Sequence, residues 1–136
     1  MSVVVDASVA TKWLTPEEGT EAALTLLGTG EVLHAPDLIY AEVARALARK
    51  EQRGEIERDL IHEALASLVA LPLETRPSRG LILRAAALVS QSNLTVYDCH
   101  YLALASQLGA SLATADRALR RAANHMKPTP VPIWQP

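Results

Sequence analysis

The sequence predicts an α/β domain with a central, mainly parallel sheet flanked by helices. Three observations lead there. Short apolar or β-branched runs at residues 3–5, 32–35 and 111–114 have the length of strands. Ala- and Leu-rich stretches with helical spacing separate them, the alternation expected of parallel strands joined by crossover helices. The 136 residues, 49% hydrophobic and 21% charged, make one domain, residues 1–136, able to bury a core without disulfide or metal staples.

The elements follow in order. Val3, Val4 and Val5 form a continuous β-branched run, as expected of a strand covered on both faces. It ends at Asp6, and residues 8–14 read as a short helix. Thr15, Pro16 and Glu18 match an N-cap, first position and capping-box partner, predicting a helix that runs to Leu27 and stops at Gly28, Thr29 and Gly30. A strand at 32–35 closes at Pro36, and Asp37 is the expected cap of a helix reaching about Arg53. Gly54 breaks it; a helix at 57–69, a strand at 72–75 and a helix from Pro77 and Ser78 to about Gln91 follow. Asp98 stands at the start of a helix over 99–108 that Gly109 ends. After the strand at 111–114, Asp116 opens a basic helix with Arg117, Arg120 and Arg121. Residues 131–134 read as an edge strand, because Pro132 cannot donate to a central ladder.

Composition narrows the function. Aromatics are 4% with no Phe, so the core is aliphatic and binding that stacks bases on several aromatic platforms is disfavoured. The single cysteine, Cys99, excludes an internal disulfide and a Cys-based zinc site, and suits a reducing compartment. The N-terminus lacks a basic segment, Asp6 interrupts its apolar run, and the longest apolar stretch, 64–73, is far short of the ~20 residues of a membrane span. The expected location is the cytoplasm. Net charge is −2, but residues 1–75 carry −7 and residues 76–136 carry +5, with Asp98 and Asp116 the only acids of the basic part.

In parallel sheets, chemistry gathers at the carboxyl ends of the strands. Asp6 and Asp116 fall at or just past such ends, each with a hydroxylic neighbour, Ser8 and Thr114. Glu42 lies early in a helix that follows a strand, and Asp98 at a helix start, so four carboxylates can meet at one sheet edge. Such a cluster persists only when a cation neutralises it. A hard divalent ion, Mg²⁺ or Mn²⁺, suits oxygen ligands and phosphate substrates. Two such ions ~3.5–4 Å apart would clamp a phosphodiester. The structural alternatives are helix caps for Asp98 and Asp116 and a solvated helix face for Glu42. Asp6, ending a buried strand, is harder to explain that way, because an unpaired buried charge is costly.

Four segments carry a resemblance: Val4-Val5-Asp6-Ala7-Ser8-Val9-Ala10, Pro36-Asp37-Leu38-Ile39-Tyr40-Ala41-Glu42-Val43, Leu94-Thr95-Val96-Tyr97-Asp98 with Tyr101-Leu102-Ala103-Leu104-Ala105, and Leu112-Ala113-Thr114-Ala115-Asp116. In that order, over nearly the whole chain, they resemble PIN-domain proteins of the VapC toxin type. The resemblance implies a Rossmann-like sheet and a Mg²⁺- or Mn²⁺-dependent endoribonuclease acting on RNA. It assigns the acids to Asp6, Glu42, Asp98 and Asp116, with Ser8 and Thr114 as supporting polar positions. It also implies a small antitoxin partner, which would block the acids with a cation, and a homodimer.

Two basic groups are candidates for holding RNA phosphates. Arg45 and Arg49, followed by Lys50 and Arg53, share the helix of Glu42; Arg117, Arg120 and Arg121, with Lys127, follow Asp116. The histidines, His34, His62, His100 and His125, show no metal-ligand spacing, and Cys99 reads as a small buried residue. Trp13 and Trp134 read as packing residues. Two rival readings compete with the nuclease. One is a haloacid-dehalogenase-type phosphatase with Asp6 as nucleophile, although that class usually has a second Asp where Ser8 stands. The other is a non-catalytic RNA-binding module of the same fold.

Overall fold

A four-stranded, all-parallel sheet of order β3-β2-β1-β4 organises the chain, in a computed structural model that describes residues 1–136. The strands are β1 (Ser2–Val5), β2 (Val32–Pro36), β3 (Glu74–Arg76) and β4 (Ser111–Ala113). The helices are α1 (Ala7–Leu14), α2 (Thr20–Leu27), α3 (Ile39–Gln52), α4 (Arg58–Ala70), α5 (Ile82–Ser92), α6 (Val96–Leu108) and α7 (Arg117–Asn124).

Side chains alternate across a strand, and β1 uses the alternation to join two cores. Val4 packs with α5, α6 and α7 through Leu88, Leu102, Leu104 and Leu119. Val3 and Val5 face the opposite layer, with Val9, Leu26, Val43, Leu47 and Leu68 from α1 to α4. Both faces of the sheet are therefore covered, as the all-valine run predicts. In α6 every residue from Cys99 to Ala105 is buried, so this helix is apolar all round rather than striped. Gly109 ends it in the left-handed conformation, at φ +62°. No helix is long and apolar enough to cross a membrane.

Several boundaries differ from the sequence reading. The helix expected from Thr15 begins at Thr20, after Gly19 at φ +88°. Thr15 instead ends α1, its N–H donating to the Thr11 carbonyl, while Glu17 is drawn away to Lys12 and Lys50. Asp37 does not cap α3. The helix expected from Pro77 is a 3-10 turn at Ser78–Gly80 followed by α5. The strand expected at 131–134 shrinks to one bridge, Leu112 with Ile133. Pro132 and the prolines before it leave few donors for a ladder.

Candidate active site

All four strands run the same way, so their carboxyl ends share one edge, where β1 sits between β2 and β4. Asp6 follows β1 directly and caps α1: its Oδ1 accepts from the Val9 N–H at 3.1 Å and from the Ser8 hydroxyl. Its Oδ2 accepts from the Thr114 hydroxyl. Those two hydroxyls in turn accept from the loop after β4. Ser8 Oγ takes the Ala115 N–H and Thr114 Oγ1 takes the Asp116 N–H, both at 3.0 Å. Ser8 and Thr114 thus hold Asp6 and lace β1 to the start of α7.

Asp116 caps α7, Oδ1 accepting from the Leu119 N–H at 3.0 Å. Capping and membership of the cluster coincide here, since the same loop brings Asp116 beside Asp6. Asp98, by contrast, is no cap; Thr95 caps α6 and accepts the Asp98 N–H at 3.1 Å, leaving the Asp98 carboxylate half-buried in the first turn. Glu42 occupies the first turn of α3, where its Oε1 accepts from the buried Tyr101 hydroxyl at 2.6 Å. Tyr101 is the residue that the sequence reading passed over. It stands in an apolar run, and its partner lies 59 positions away.

The four carboxylates act on one another. Burial pushes Asp6 up to about 6, against its three hydrogen bonds, and Asp116 adds to the rise. Burial raises Asp98, with Asp116 again contributing. Burial also raises Glu42, opposed by the Tyr101 hydrogen bond and reinforced by Asp98 and Asp6. No Lys or Arg pairs with any of the four; the ion pairs of the chain involve Glu17, Glu51, Glu55 and Glu74 instead. The result is a negative, oxygen-only cluster with no counter-ion from the chain. Its donor chemistry fits a hard divalent cation. As the side chains stand, no three His, Cys, Asp or Glu groups close on one point to hold an ion.

The basic candidates divide. Arg45 and Arg49 are exposed and follow Glu42 at three and seven residues, along its own helix face. Lys50 and Arg53 are occupied elsewhere, with Glu17 and Glu55. Arg120 donates to the Thr114 carbonyl at 3.2 Å, beside Asp6, and Arg117 is exposed in the first turn of α7. Arg121 lines a separate cavity between α5 and α7. His100 is buried and satisfied, its ring nitrogens on Ser78 Oγ and the Val96 carbonyl. Cys99 is buried, and burial raises its thiol.

The sequence pattern of the PIN domain matches residues 3–125. The chain is 35% identical over 121 residues to the ribonuclease VapC3 of Pyrobaculum aerophilum, covering 88% of this chain and 92% of that protein. It is 36% identical over 129 residues to the ribonuclease VapC12 of Mycobacterium tuberculosis, covering 90% and 93%. Among solved structures, the fold matches VapC20 of Mycobacterium tuberculosis, a sarcin-ricin loop cleaving toxin. The TM-score is 0.73 at 14% identity, over 88% of this chain and 94% of that one. A toxin–antitoxin complex from Klebsiella pneumoniae also matches, with a TM-score of 0.59 at 16% identity, over 96% and 99%. At these identities the structural likenesses speak to the fold.

Proposed function

Because the chain belongs to the PIN-domain family, among its VapC-type toxins, we propose that it is a metal-dependent endoribonuclease cutting RNA at the carboxylate edge of its sheet. One observation carries the reading: four acids, from the end of β1, α3, α6 and the β4–α7 loop, gather without a cation, and burial together with the neighbouring carboxylates raises Asp6, Glu42 and Asp98. Asp6, Asp98 and Asp116 would hold Mg²⁺ or Mn²⁺. A divalent ion bound there supplies charge neutralisation at the phosphate oxygens and makes water a better nucleophile.

The residues of the chain do the rest. Ser8 and Thr114 fix the Asp6 carboxylate so that it need not reorganise during turnover. Glu42, with one oxygen held by Tyr101, has the other free to orient the attacking water or to complete a second ion site. Arg45, Arg49, Arg117 and Arg120 hold the flanking phosphates. Hydrolysis in line with the leaving oxygen follows. A phosphatase with Asp6 as nucleophile is disfavoured, since Ser8 stands where that class has its second Asp, and its hydroxyl donates to Asp6.

A small antitoxin, offering a cation to the unneutralised acids, is the partner we propose. Homodimerisation and a cytoplasmic location complete the proposal. Cleavage of a mixed RNA pool with Mn²⁺, with and without EDTA, tests it. Cleavage that EDTA stops and Asp6→Asn abolishes is expected. Cleavage indifferent to EDTA, or a phosphorylated Asp6, would overturn it.

A further inference from the structure

A cavity of about 520 Å³ opens between α5 and the loop after it, the middle of α6, and α7 with the segment that follows it, and none of the four carboxylates lines it. Its size is that of a site for a small molecule or a single nucleotide. Leu88, Leu102 and Met126 give it an aliphatic floor. Arg84, Arg121 and Lys127 stand around it, and no Asp or Glu does. None of these three cations pairs with a carboxylate anywhere in the chain. Arg84 donates to the Lys127 carbonyl at 3.1 Å, which ties the segment after α7 to α5 without spending either charge. Cations gathered without an acid repel, and an anion relieves them. The side-chain amide of Asn93 adds a donor and an acceptor at the wall. An apolar floor, polar edges and a cationic rim suit a base with its phosphate.

The cavity shares two helices, α6 and α7, with the acids. Asp116 caps α7, and Arg121 comes five residues later, ~7.5 Å along the helix axis. That spans about two stacked nucleotides of one strand at ~3.4 Å each. On α6, Leu102 of the floor is one turn beyond Asp98. The two helices whose starts carry Asp98 and Asp116 thus also line the cavity.

We propose that this cavity is a nucleotide subsite, in which a base near the cut lies on the aliphatic floor and Arg121 and Lys127 hold its phosphate. The assignment rests on the ribonuclease reading and adds to it a grip on RNA outside the carboxylate edge.

The test measures binding of fluorescein-labelled, mixed-sequence single-stranded RNA by anisotropy, in an Asp98→Asn background that keeps the RNA intact. Replacing Arg121 and Lys127 together by Ala should weaken binding at least about tenfold and lower the salt slope by roughly 0.7, one phosphate contact's worth. Ala118→Phe, which narrows the cavity and keeps every charge, should weaken RNA binding about tenfold, the equivalent of about 1.4 kcal/mol, and leave polyphosphate binding unchanged. Arg58→Ala, on the exposed face of α4, should change neither. Unaltered binding in the double variant, an equal loss in Arg58→Ala, or normal RNA binding by Ala118→Phe would overturn the subsite. Any of these would leave Mn²⁺-dependent cleavage by the wild type standing. A wild type that shows the predicted binding pattern yet cuts no RNA would overturn the ribonuclease reading alone.

Discussion

Two groups of carboxylates in this chain are treated in opposite ways. In the corner where α1, α2 and α3 meet, Glu17 is partly buried, which by itself would raise its carboxyl. The ammonium groups of Lys12 and Lys50, at 2.8 and 2.7 Å, outweigh burial and hold it below the usual value. At the carboxyl edge of the sheet, Asp6, Glu42 and Asp98 are also buried or half-buried, but no lysine or arginine answers them and all three are raised. The chain does not lack cations: Arg45, Arg49 and Arg117 are exposed and unpaired nearby on α3 and α7. The difference teaches that net charge does not decide how an acid behaves; the presence of a partner does. One corner neutralises its own acid, whereas the edge has no cation of the chain paired with its acids.

The largest expected break in this contrast is Asp98→Asn. It removes a carboxylate that makes no structural hydrogen bond as acceptor, so the fold should survive while RNA cleavage falls by ~10²-fold or more, the scale of losing one electrostatic stabiliser. Circular dichroism with a cleavage assay checks both halves. Loss of fold would make Asp98 structural.

Next comes Tyr101→Phe, which takes a charge-assisted bond of about 1.5–3 kcal/mol from Glu42. Glu42 should rise further, so the ascending limb of the pH–rate profile should move to higher pH. A profile that drops in height without moving would give Tyr101 a packing role only.

The two acid groups also differ in pH dependence. Asp6 is raised in the fold, so its contribution to stability is complete below its ordinary value of 3.8 and is lost as pH climbs through about 6. Glu17 is lowered, so its contribution is present above its ordinary value and is lost as pH falls through the lowered one. In EDTA, thermal melting of the wild type should therefore lose stability between pH 4 and pH 7 relative to Asp6→Asn. A pH-independent difference between the two would break the assignment. The smallest effect belongs to Glu17→Gln, about 0.5–1 kcal/mol because the pair is partly solvated, with cleavage unchanged. A loss of activity there would join the corner to the site.

How much of this was legible in the sequence follows the same division between local and distant causes. The alternation of strands and helices, the valine-only β1, Gly109 as a stop and Asp116 as a cap are local signals, and the structure keeps them. The start of α2 was not legible, because Thr15, the expected N-cap, instead ends α1 by donating its N–H to the Thr11 carbonyl, and the chain turns through left-handed Gly19 before α2 begins. Asp37 has the residue type of a cap, yet its N–H donates to the Arg76 carbonyl at the end of β3, and α3 begins at Ile39, with Leu38 at the cap position. The four acids stand out in the sequence because each lies at or near a strand end or a helix start and within one of the four segments that carry the resemblance. Their support was half visible: Ser8 and Thr114 are sequence neighbours of the acids, while Tyr101 reaches Glu42 only through the packing of α6 against the sheet. Arg121 shared a helix with Arg120 and was grouped with it, but a step of one residue turns it toward α5 instead.

The most direct measurement is a calorimetric titration of Mn²⁺ into EDTA-stripped protein at neutral pH, comparing wild type with Asp98→Asn and Glu17→Gln. Saturable binding by the wild type, weakened at least about tenfold in Asp98→Asn and unchanged in Glu17→Gln, is the predicted result, since about 1.4 kcal/mol for one lost charged ligand is tenfold. A wild type without saturable binding, or one whose isotherm Asp98→Asn reproduces, would contradict the claim that the carboxylate edge is built to take a divalent ion.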